Sequence, residues 1–453
     1  MTKSATIPSQ FAEWCGSLRY NQIPENVLVA LPLRLLDTTG LILTGMLTTG
    51  GKIALDFVQT HQGIAQSTVC NYAKRLPASS AALVHGIAAH CRDYDDTFLD
   101  SLVHPGSIVI PTALAIAEKE GVSSEDFALS VIVGYEIAAR LGSVAGLRFH
   151  ARNLHPTGII GPIAAAVTAA NLLKLKEEQI IWAMGLAASM SSGLRAFAVD
   201  GGWSKWLHVG WAAHGGIVAA EMASRGFRGP EYILEGNHDL YSAFLHGETI
   251  NPKEINKALG SSWKGNKALF KYYPCAYVIQ PFLNAFLFIK KKHGLNGKNI
   301  KQIECTLAPW AASIVCEPRS QKLTPETDLS ATGSLPYQIA VSAFEENIGL
   351  SAIGPQMRER REILEFASRV THCIDPTLQG DLDGEICVRT FKGDQYAKRI
   401  TENGIEREKV EQKFLNNVTP IIGKERAING LSELLNSDKI DWRWALKQFS
   451  NLS

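Results

Sequence analysis

The sequence lacks a charge excess, a cysteine pattern and a membrane-spanning apolar run. Its 453 residues carry 45 Lys plus Arg against 44 Asp plus Glu, so the net charge of +1 gives no broad field for nucleic acid or an anionic membrane. The eight cysteines form no C-x-x-C pair, which argues against a zinc ribbon or a secreted disulfide framework. Met1 to Trp14 lacks the apolar run of a signal peptide, and no stretch reaches about twenty apolar residues. These absences predict a soluble, cytoplasmic protein that binds a small molecule and neither nucleic acid nor membrane.

Composition along the chain predicts two domains. With 453 residues, 46% of them hydrophobic, the chain exceeds the size at which a single core usually splits. In its first half, apolar residues recur at helical spacing, and many small residues let helices approach closely. After residue 300 the pattern changes to strands, with a hairpin predicted around Lys392-Gly393-Asp394. We therefore predict a mainly α protein, in which residues 1–265 and 405–453 form a large all-helical domain and residues 266–404 a smaller α+β domain.

One polar cluster interrupts the apolar helices. The segment from His90 to Ser107 carries carboxylates and two imidazoles between the predicted helices 81–89 and 108–118. Charged groups near a core are costly unless they are paired or used. Two interpretations of Asp95 and Asp96 therefore stay open: they brace a helix end through Arg92, or they line a binding site.

Four other segments carry polar side chains into the apolar pattern. His155 precedes a predicted helix, where the dipole and free amides favour an anion such as a carboxylate. Lys205 and His208, three residues apart, share one face of another helix, and a lysine between two tryptophans is costly to bury without an anion. Lys271 and Tyr337 lie in compact turns. Each has a structural alternative: helix entry for His155, a core position for His208 and Tyr337, and an aliphatic stem reaching water for Lys271.

These segments resemble the MmgE/PrpD family, which contains 2-methylcitrate dehydratases, cis-aconitate decarboxylases and iminodisuccinate epimerase. The resemblance implies an MmgE/PrpD-like fold with a large helical domain built from both chain ends, a smaller α+β lid domain, a homodimer, and a site without a metal or other cofactor. The matching segments follow one another along nearly the whole chain: Leu35-Leu36-Asp37-Thr38, Asp93-Tyr94-Asp95-Asp96-Thr97 with His104-Pro105, Gly134-Tyr135-Glu136, His155-Pro156-Thr157, Lys205 with His208, Lys271 with Tyr273-Pro274, and Ser334-Leu335-Pro336-Tyr337.

The resemblance also implies chemistry at a carbon beside a carboxylate of a small polycarboxylic acid. A proton is removed from that carbon or returned to it, so cations and hydrogen-bond donors must surround the anion, with charge-assisted bonds about twice as strong as neutral ones. A histidine, or a desolvated lysine, can act as the base near neutral pH. By resemblance, the catalytic residues are Lys205, His155, His104, Tyr337 and Lys271, the substrate-binding residues are Asp93, Thr97 and His208, and no residue is a metal ligand.

Two positions depart from the family pattern. After Pro274 the family often has a histidine two or about six residues further on, whereas this chain has Ala276 and Gln280. If that imidazole is the acid in dehydration or decarboxylation, its loss weakens both reactions relative to simple proton exchange. The sequence therefore favours a metal-independent isomerase that epimerises an iminodisuccinate-like amino-polycarboxylate. The alternative is a lyase, either a 2-methylcitrate-type dehydratase or a cis-aconitate-type decarboxylase.

Two further interpretations carry less weight. A protein that kept the fold and lost the chemistry would bind an acid without converting it, but the density of ionisable groups argues against this. Asp95 and Asp96 with Asp100 resemble a magnesium-diphosphate site of an all-helical prenyl-transferring enzyme, but their spacing is loose and no second acidic cluster faces them.

Overall fold

The computed structural model describes residues 5–61, 63–378, 382–400, 405–436 and 440–449. The chain forms two compact units. The first unit comprises Met1–Cys91, Asp95–Phe270 and Val410–Ser453, and the second comprises Arg92–Tyr94 and Lys271–Lys409. The structure is mainly α with a smaller α+β part, which confirms the predicted fold class. The domain boundaries drawn from composition stay predictions.

The first unit is built from packed helices with many small residues at their contacts. Helix α12 packs against α9 and α5, and every residue of α9 is buried. A Cβ on Gly210 of α12 would lie 2.4 Å from the Leu83 carbonyl oxygen of α5, so glycine is required at this close approach. The helices are α1 (Ile7–Ser17), α2 (Glu25–Leu28), α3 (Ala30–Gly45), α4 (Thr49–Gln59), α5 (Ala78–His90), α6 (Gly106–Glu120), α7 (Ser124–Ala145), α8 (Arg148–Ala151), α9 (Pro156–Leu172), α10 (Glu177–Ser189), α11 (Phe197–Asp200), α12 (Ser204–Ser224) and α13 (Leu240–Phe244).

A small ladder interrupts the helices of this unit. Strands β1 (Ser67–Thr68) and β2 (Arg75–Leu76) pair antiparallel, which corrects the prediction that the region is wholly helical. The Ser67 hydroxyl donates to the Ala115 carbonyl of α6 at 2.7 Å, and the Thr68 amide donates to the Glu118 carboxylate at 2.6 Å. These two bonds hold the ladder against α6.

Within the described part of the chain, two helical segments are long and apolar enough to cross a membrane by length and composition alone. They are Glu25–Gly45 and Ser124–Ala145, which corrects the expectation that no stretch of the chain reaches that length. Of their apolar windows, 83% and 89% are buried inside the structure. Burial to this extent is typical of core helices in a folded unit, so both segments are core helices of the first unit.

The second unit combines short helices with a four-stranded mixed sheet of order β4-β3-β5-β6. β3 pairs parallel with β4 and antiparallel with β5. β5 and β6 form the predicted hairpin, which is confirmed. The strands are β3 (Ile300–Leu307), β4 (Val370–Ile374), β5 (Gly384–Thr390) and β6 (Gln395–Ile400), and the helices are α14 (Gln280–His293), α15 (Pro309–Val315), α16 (Arg319–Leu323), α17 (Asp328–Thr332), α18 (Leu335–Phe344), α19 (Pro355–Arg358) and α20 (Arg361–Ala367).

The chain then returns to the first unit through α21 (Arg407–Ile422), α22 (Lys424–Leu435) and α23 (Arg443–Phe449). Helices α22 and α23 contact α3. Lys413 on α21 forms a buried ion pair with Asp37 on α3 at 2.6 Å. Burial raises the pKa of Asp37 to about 6, although the Lys413 charge opposes that rise. A buried charge pair therefore joins the last part of the first unit to one of its earliest helices.

A buried histidine outside the polar cluster makes stability depend on pH. Nε2 of His85 accepts a hydrogen bond from the Cys70 amide at 3.0 Å, and burial lowers the pKa of His85 to about 3. Between pH 6.5 and 3 the unfolded chain binds a proton here that the folded chain does not, so this contribution to stability is lost as pH falls. In this pH range the titration of His85 lowers the free energy of unfolding by ~1.4 kcal/mol for each pH unit of acidification. We expect His85→Gln to abolish this loss, because a glutamine oxygen accepts the same hydrogen bond and does not titrate.

Urea unfolding of both proteins at pH 7.0 and pH 5.5 measures this effect. The His85→Gln protein should lose less free energy of unfolding between the two values than the parent protein. Equal losses would show that His85 is not the titrating group.

Candidate active site

Four imidazoles lie together in the first unit. His90 is the last residue of α5, His104 comes just before α6, His155 is the residue immediately before α9, and His208 lies in the second turn of α12. The ring centroids of His90 and His104 are 4.7 Å apart, those of His90 and His155 5.8 Å, and those of His155 and His208 5.4 Å. We call these four residues the imidazole cluster. The structure thus brings together three predicted site histidines and adds a fourth, His90.

Close backbone approach at the start of α9 makes room for the cluster. A Cβ on Gly158 would lie 2.2 Å from the Ser192 carbonyl oxygen and 3.2 Å from the His208 side chain. Gly193 has a φ of +145°, and its carbonyl accepts a hydrogen bond from the His155 amide at 2.9 Å. Glycine at both positions therefore fixes the loop against which His155 and His208 lie.

Acceptors fix the ring orientation of two histidines. Nδ1 of His90 lies 2.8 Å from Oδ2 of Asp95, and the Ser107 hydroxyl donates to the same oxygen at 2.6 Å. Nδ1 of His104 lies 3.0 Å from the Asp96 carbonyl oxygen. Because a carboxylate and a carbonyl only accept, each Nδ1 carries the proton, and Nε2 of a neutral ring then presents a lone pair. His90 with Asp95 is thus an oriented acid–histidine pair.

The other two histidines are neutral at neutral pH. Nδ1 of His155 lies 3.3 Å from Nδ1 of His208. Burial lowers the pKa of His155 well below 6.5, and the charges of His90, Lys205, His104 and His208 lower it further. Burial, followed by the charge of His90, lowers the pKa of His208 to about 4. Neutral imidazoles of this kind accept or relay protons.

Lys205 supplies positive charge near these rings. It is the second residue of α12, one turn before His208, and its side chain is buried at 9% exposure. Its charge contributes to the low pKa of both His155 and His150. A buried ammonium beside neutral imidazoles is suited to holding a substrate carboxylate.

Thr97 belongs to the same region of the first unit. Its amide and carbonyl exchange hydrogen bonds with Leu269, both at 2.9 Å. Its hydroxyl lies 3.3 Å from Nδ1 of His104. Thr97 is therefore fixed through its backbone, with its hydroxyl directed at a cluster histidine.

Asp96 braces the N-terminus of α6. It accepts hydrogen bonds from Arg34 at 2.9 Å, from the Tyr135 hydroxyl at 2.8 Å and from the Gly106 amide at 2.8 Å. The prediction that Arg92 supplies the opposite charge is wrong, because Arg34 does so and Arg92 pairs with Asp328 at 3.0 Å. Of the two adjacent carboxylates, Asp96 is structural and Asp95 faces the imidazole cluster.

In the second unit, Asp93 and Lys271 form a buried ion pair. The ammonium donates to the Asp93 carboxylate at 2.8 Å and to its carbonyl oxygen at 2.7 Å. Asp93 has a φ of +48°, in the left-handed region that aspartate tolerates better than most residues. Lys271 therefore holds Asp93 in an uncommon backbone conformation.

Tyr337 and Gln280 of the second unit are occupied by structural bonds. The Tyr337 hydroxyl donates to the Ala352 carbonyl at 2.7 Å, and burial raises the pKa of Tyr337 above its ordinary value. The Gln280 amide accepts from the amides of Tyr272 and Tyr273 and donates to the Tyr273 carbonyl at 2.7 Å. Gln280 thus serves to fix the backbone of residues 272 and 273. The functional roles of Tyr337, Lys271 and Asp93 stay predictions.

A mainly helical protein with a smaller α+β part holds buried imidazoles, a carboxylate and a lysine together at helix ends. Such a set is typical of an enzyme that holds an anion and moves protons. Residues 9–253 match the MmgE/PrpD N-terminal domain, and residues 273–437 match the MmgE/PrpD C-terminal domain. The chain belongs to the MmgE/PrpD family.

Three proteins whose sequences are similar to this chain are named cis-aconitate decarboxylases or cis-aconitate decarboxylase-like. Cis-aconitate decarboxylase of Aspergillus terreus is 24% identical over 383 residues, which cover 81% of this chain and 78% of that protein. Human cis-aconitate decarboxylase is 30% identical over 283 residues, 60% of this chain and 57% of the human protein. The cis-aconitate decarboxylase-like protein oryM of Aspergillus oryzae is 26% identical over 290 residues, 60% of this chain and 59% of that protein. The chain thus matches less than two thirds of the length of the last two relatives.

Proposed function

We propose that the protein is a lyase that decarboxylates a small polycarboxylic acid of the cis-aconitate type. The imidazole cluster with Lys205 carries this proposal, because it places an ammonium and neutral proton-transfer groups side by side. The relatives named as cis-aconitate decarboxylases support it. The comparisons give no support to the epimerase that the sequence favoured, and they favour its lyase alternative.

Decarboxylation makes specific demands on these residues. The bond between carbon and a carboxylate breaks, its electron pair stays on the carbon, and a proton must then reach that carbon. Lys205 holds a carboxylate of the substrate through its charge, and an imidazole of the cluster delivers the proton after taking it from solvent. The side chain of Gln280, six residues after Pro274, is engaged in hydrogen bonds. The group that donates the proton therefore belongs to the first unit.

Incubation in D₂O with cis-aconitate, 2-methylcitrate or iminodisuccinate, followed by proton NMR and mass spectrometry, tests the proposal. We expect loss of CO₂ from cis-aconitate with one carbon-bound deuterium in the product. Loss of water from 2-methylcitrate would instead make the protein a dehydratase. Deuterium exchange in iminodisuccinate without a change of its skeleton would overturn the lyase proposal.

The homodimer is also a proposal, and an exposed apolar face supports it. Leu207 and Trp211 on α12 are 48% and 43% exposed, and Ile53 and Phe57 on α4 are more than half exposed. A Cβ on Gly50 would lie 2.8 Å from the Trp206 ring, so the two helices are adjacent. A second copy of the chain would cover this face.

We expect Leu207→Asp to convert the dimer to a monomer, because burying an unpaired carboxylate at an interface costs several kcal/mol. Light scattering after size exclusion would show the mass falling from two chains to one. Phe391→Asp, at an exposed apolar position of the second unit, serves as the matched control and should leave the mass unchanged. A parent protein that is already monomeric would refute the dimer.

A further inference from the structure

Three rings of the imidazole cluster meet at one point. One nitrogen of each of His90, His104 and His155 lies within 4.8 Å of the corresponding nitrogens of the other two, and all three residues are buried. Among the described residues, Nε2 of His90 and Nε2 of His155 are buried and have no hydrogen-bond partner. A buried polar nitrogen without a partner is costly, so the unpartnered nitrogens point to a ligand.

The bonds behind these rings follow the pattern of metal-binding histidines. A ligating histidine usually donates its other ring N–H to a carboxylate, a carbonyl or a similar acceptor. His90 does so to Asp95, and His104 does so to the Asp96 carbonyl. Nδ1 of His155 is engaged with His208. The rings of His90 and His104 are therefore held through Nδ1, and that of His155 is oriented by its contact with His208.

We propose that His90, His104 and His155 form a binding site for a first-row transition-metal ion, with Zn²⁺ as the probe, and that its occupation inhibits the enzyme. Imidazole nitrogens select Zn²⁺, Cu²⁺ or Ni²⁺ over Mg²⁺ and Ca²⁺, which prefer oxygen ligands. Tetrahedral ligation with Zn–N bonds of about 2.0–2.1 Å places the ligand nitrogens roughly 3.4 Å apart. The distances between the three histidine nitrogens would therefore have to shorten by no more than about 1.4 Å.

Charge at the site decides how tightly the ion binds. Asp95, bonded to His90, attracts a dication, whereas Lys205, whose charge acts on His155, repels it. Three imidazole ligands leave the fourth tetrahedral position to water. The inhibition rests on the proposed function, in which His104 and His155 act on the substrate and so cannot bind the metal ion at the same time. Metal binding itself does not rest on it.

Binding is measured without turnover, on protein from which any affinity tag has been removed. Every variant carries Cys373→Ser, because Cys373 is the exposed one of the eight cysteines. We expect one equivalent of Co²⁺ to give the visible absorption of tetrahedral nitrogen ligation, and Zn²⁺ to displace it. Asp95→Asn should weaken Zn²⁺ binding ten- to a hundred-fold, as loss of a supporting carboxylate does elsewhere. His90→Gln should weaken it further.

The control is His214→Gln, which changes a half-buried α12 histidine whose Nδ1 lies 3.1 Å from the Ser79 carbonyl. Its Zn²⁺ affinity should equal that of the parent. Circular dichroism melts show whether each variant is folded, and Asp95→Asn keeps the test decisive if His90→Gln unfolds. Absence of saturable Zn²⁺ binding, or equal affinity in the Asp95→Asn and parent proteins, would overturn the site. Metal binding without any turnover would leave the site standing and count against the proposed function.

If the lyase activity is present, Zn²⁺ should inhibit it at the concentrations that fill the site, and EDTA should restore it. High cis-aconitate should reduce the inhibition, because both ligands use His104 and His155. Binding without inhibition would overturn that second half of the proposal.

Discussion

Lys205→Met is expected to lower kcat/KM for decarboxylation by about a hundred- to a thousand-fold, equivalent to ~3–4 kcal/mol. Removing one partner of a buried, hydrogen-bonded charge pair costs about 2–5 kcal/mol, and the substrate carboxylate is the partner proposed for this ammonium. Lys205 is buried on α12 and acts on the pKa of His155, so its loss leaves an anion facing neutral rings. Steady-state kinetics at pH 7 measure the change.

A second readout separates an electrostatic role from a structural one. The Lys205 charge lowers the pKa of His155, so removing it should raise that pKa while burial keeps it below 6.5. NMR titration of the His155 ring follows this shift. Lys119→Met, at a lysine paired with Glu221 outside the cluster, should change neither the kinetics nor the titration. Full activity of the Lys205→Met protein would show that Lys205 has no role in the reaction.

Arg34→Met is expected to lower the free energy of unfolding by ~3–5 kcal/mol, because breaking a buried ion pair strands the remaining charge. Arg34 on α3 pairs with Asp96, donates to the carbonyls of Gly265 and Ala268, and lies 4.4 Å from the Tyr135 ring centroid. Burial already raises the pKa of Asp96, and the Arg34 charge opposes that rise. The variant should therefore recover part of its deficit as pH falls and Asp96 takes up a proton. Urea unfolding at pH 7 and pH 5 measures both effects.

Two controls accompany this measurement. Arg361→Met removes a surface pair with Glu365, in which the arginine is 91% exposed, and should cost less than ~1 kcal/mol. Asp96→Asn in the Arg34→Met chain should restore part of the lost stability, because it removes the stranded charge. A cost below 1 kcal/mol for Arg34→Met would mean that the pair contributes no more than a surface contact.

The sequence predicts those helices and turns that depend on residues close together in the chain. Helices α5 and α6, the start of α9 and the β5–β6 hairpin follow from apolar period and turn residues close together in the chain. The parallel pairing of β3 with β4 does not, because more than sixty residues separate Ile303 from Val370. The β1–β2 ladder was missed because two-residue strands carry no periodicity.

The site shows the same limit. His104, His155 and His208 were predicted by resemblance, and the structure brings their rings together. The sequence allows Asp96 to brace a helix end, but its partner Arg34 lies 62 residues away and no local pattern pairs the two. The sequence places His90 in the polar segment but gives it no role, and its spacing of five residues from Asp95 is the available signal. Side-chain partners distant in sequence depend on packing that local pattern does not record.

The Lys413–Asp37 ion pair has a consequence for how the chain is made. At ~5–20 residues per second, Lys413 leaves the ribosome roughly 20–80 s after Asp37. Throughout that time the buried face of α3 around Asp37 has no counter-charge, and Phe414, whose ring lies 2.9 Å from the Cβ position of Gly40, is absent too. The contact of α21 with this face of α3 can therefore form only after translation has passed residue 413, so the first unit is completed late in synthesis or after it.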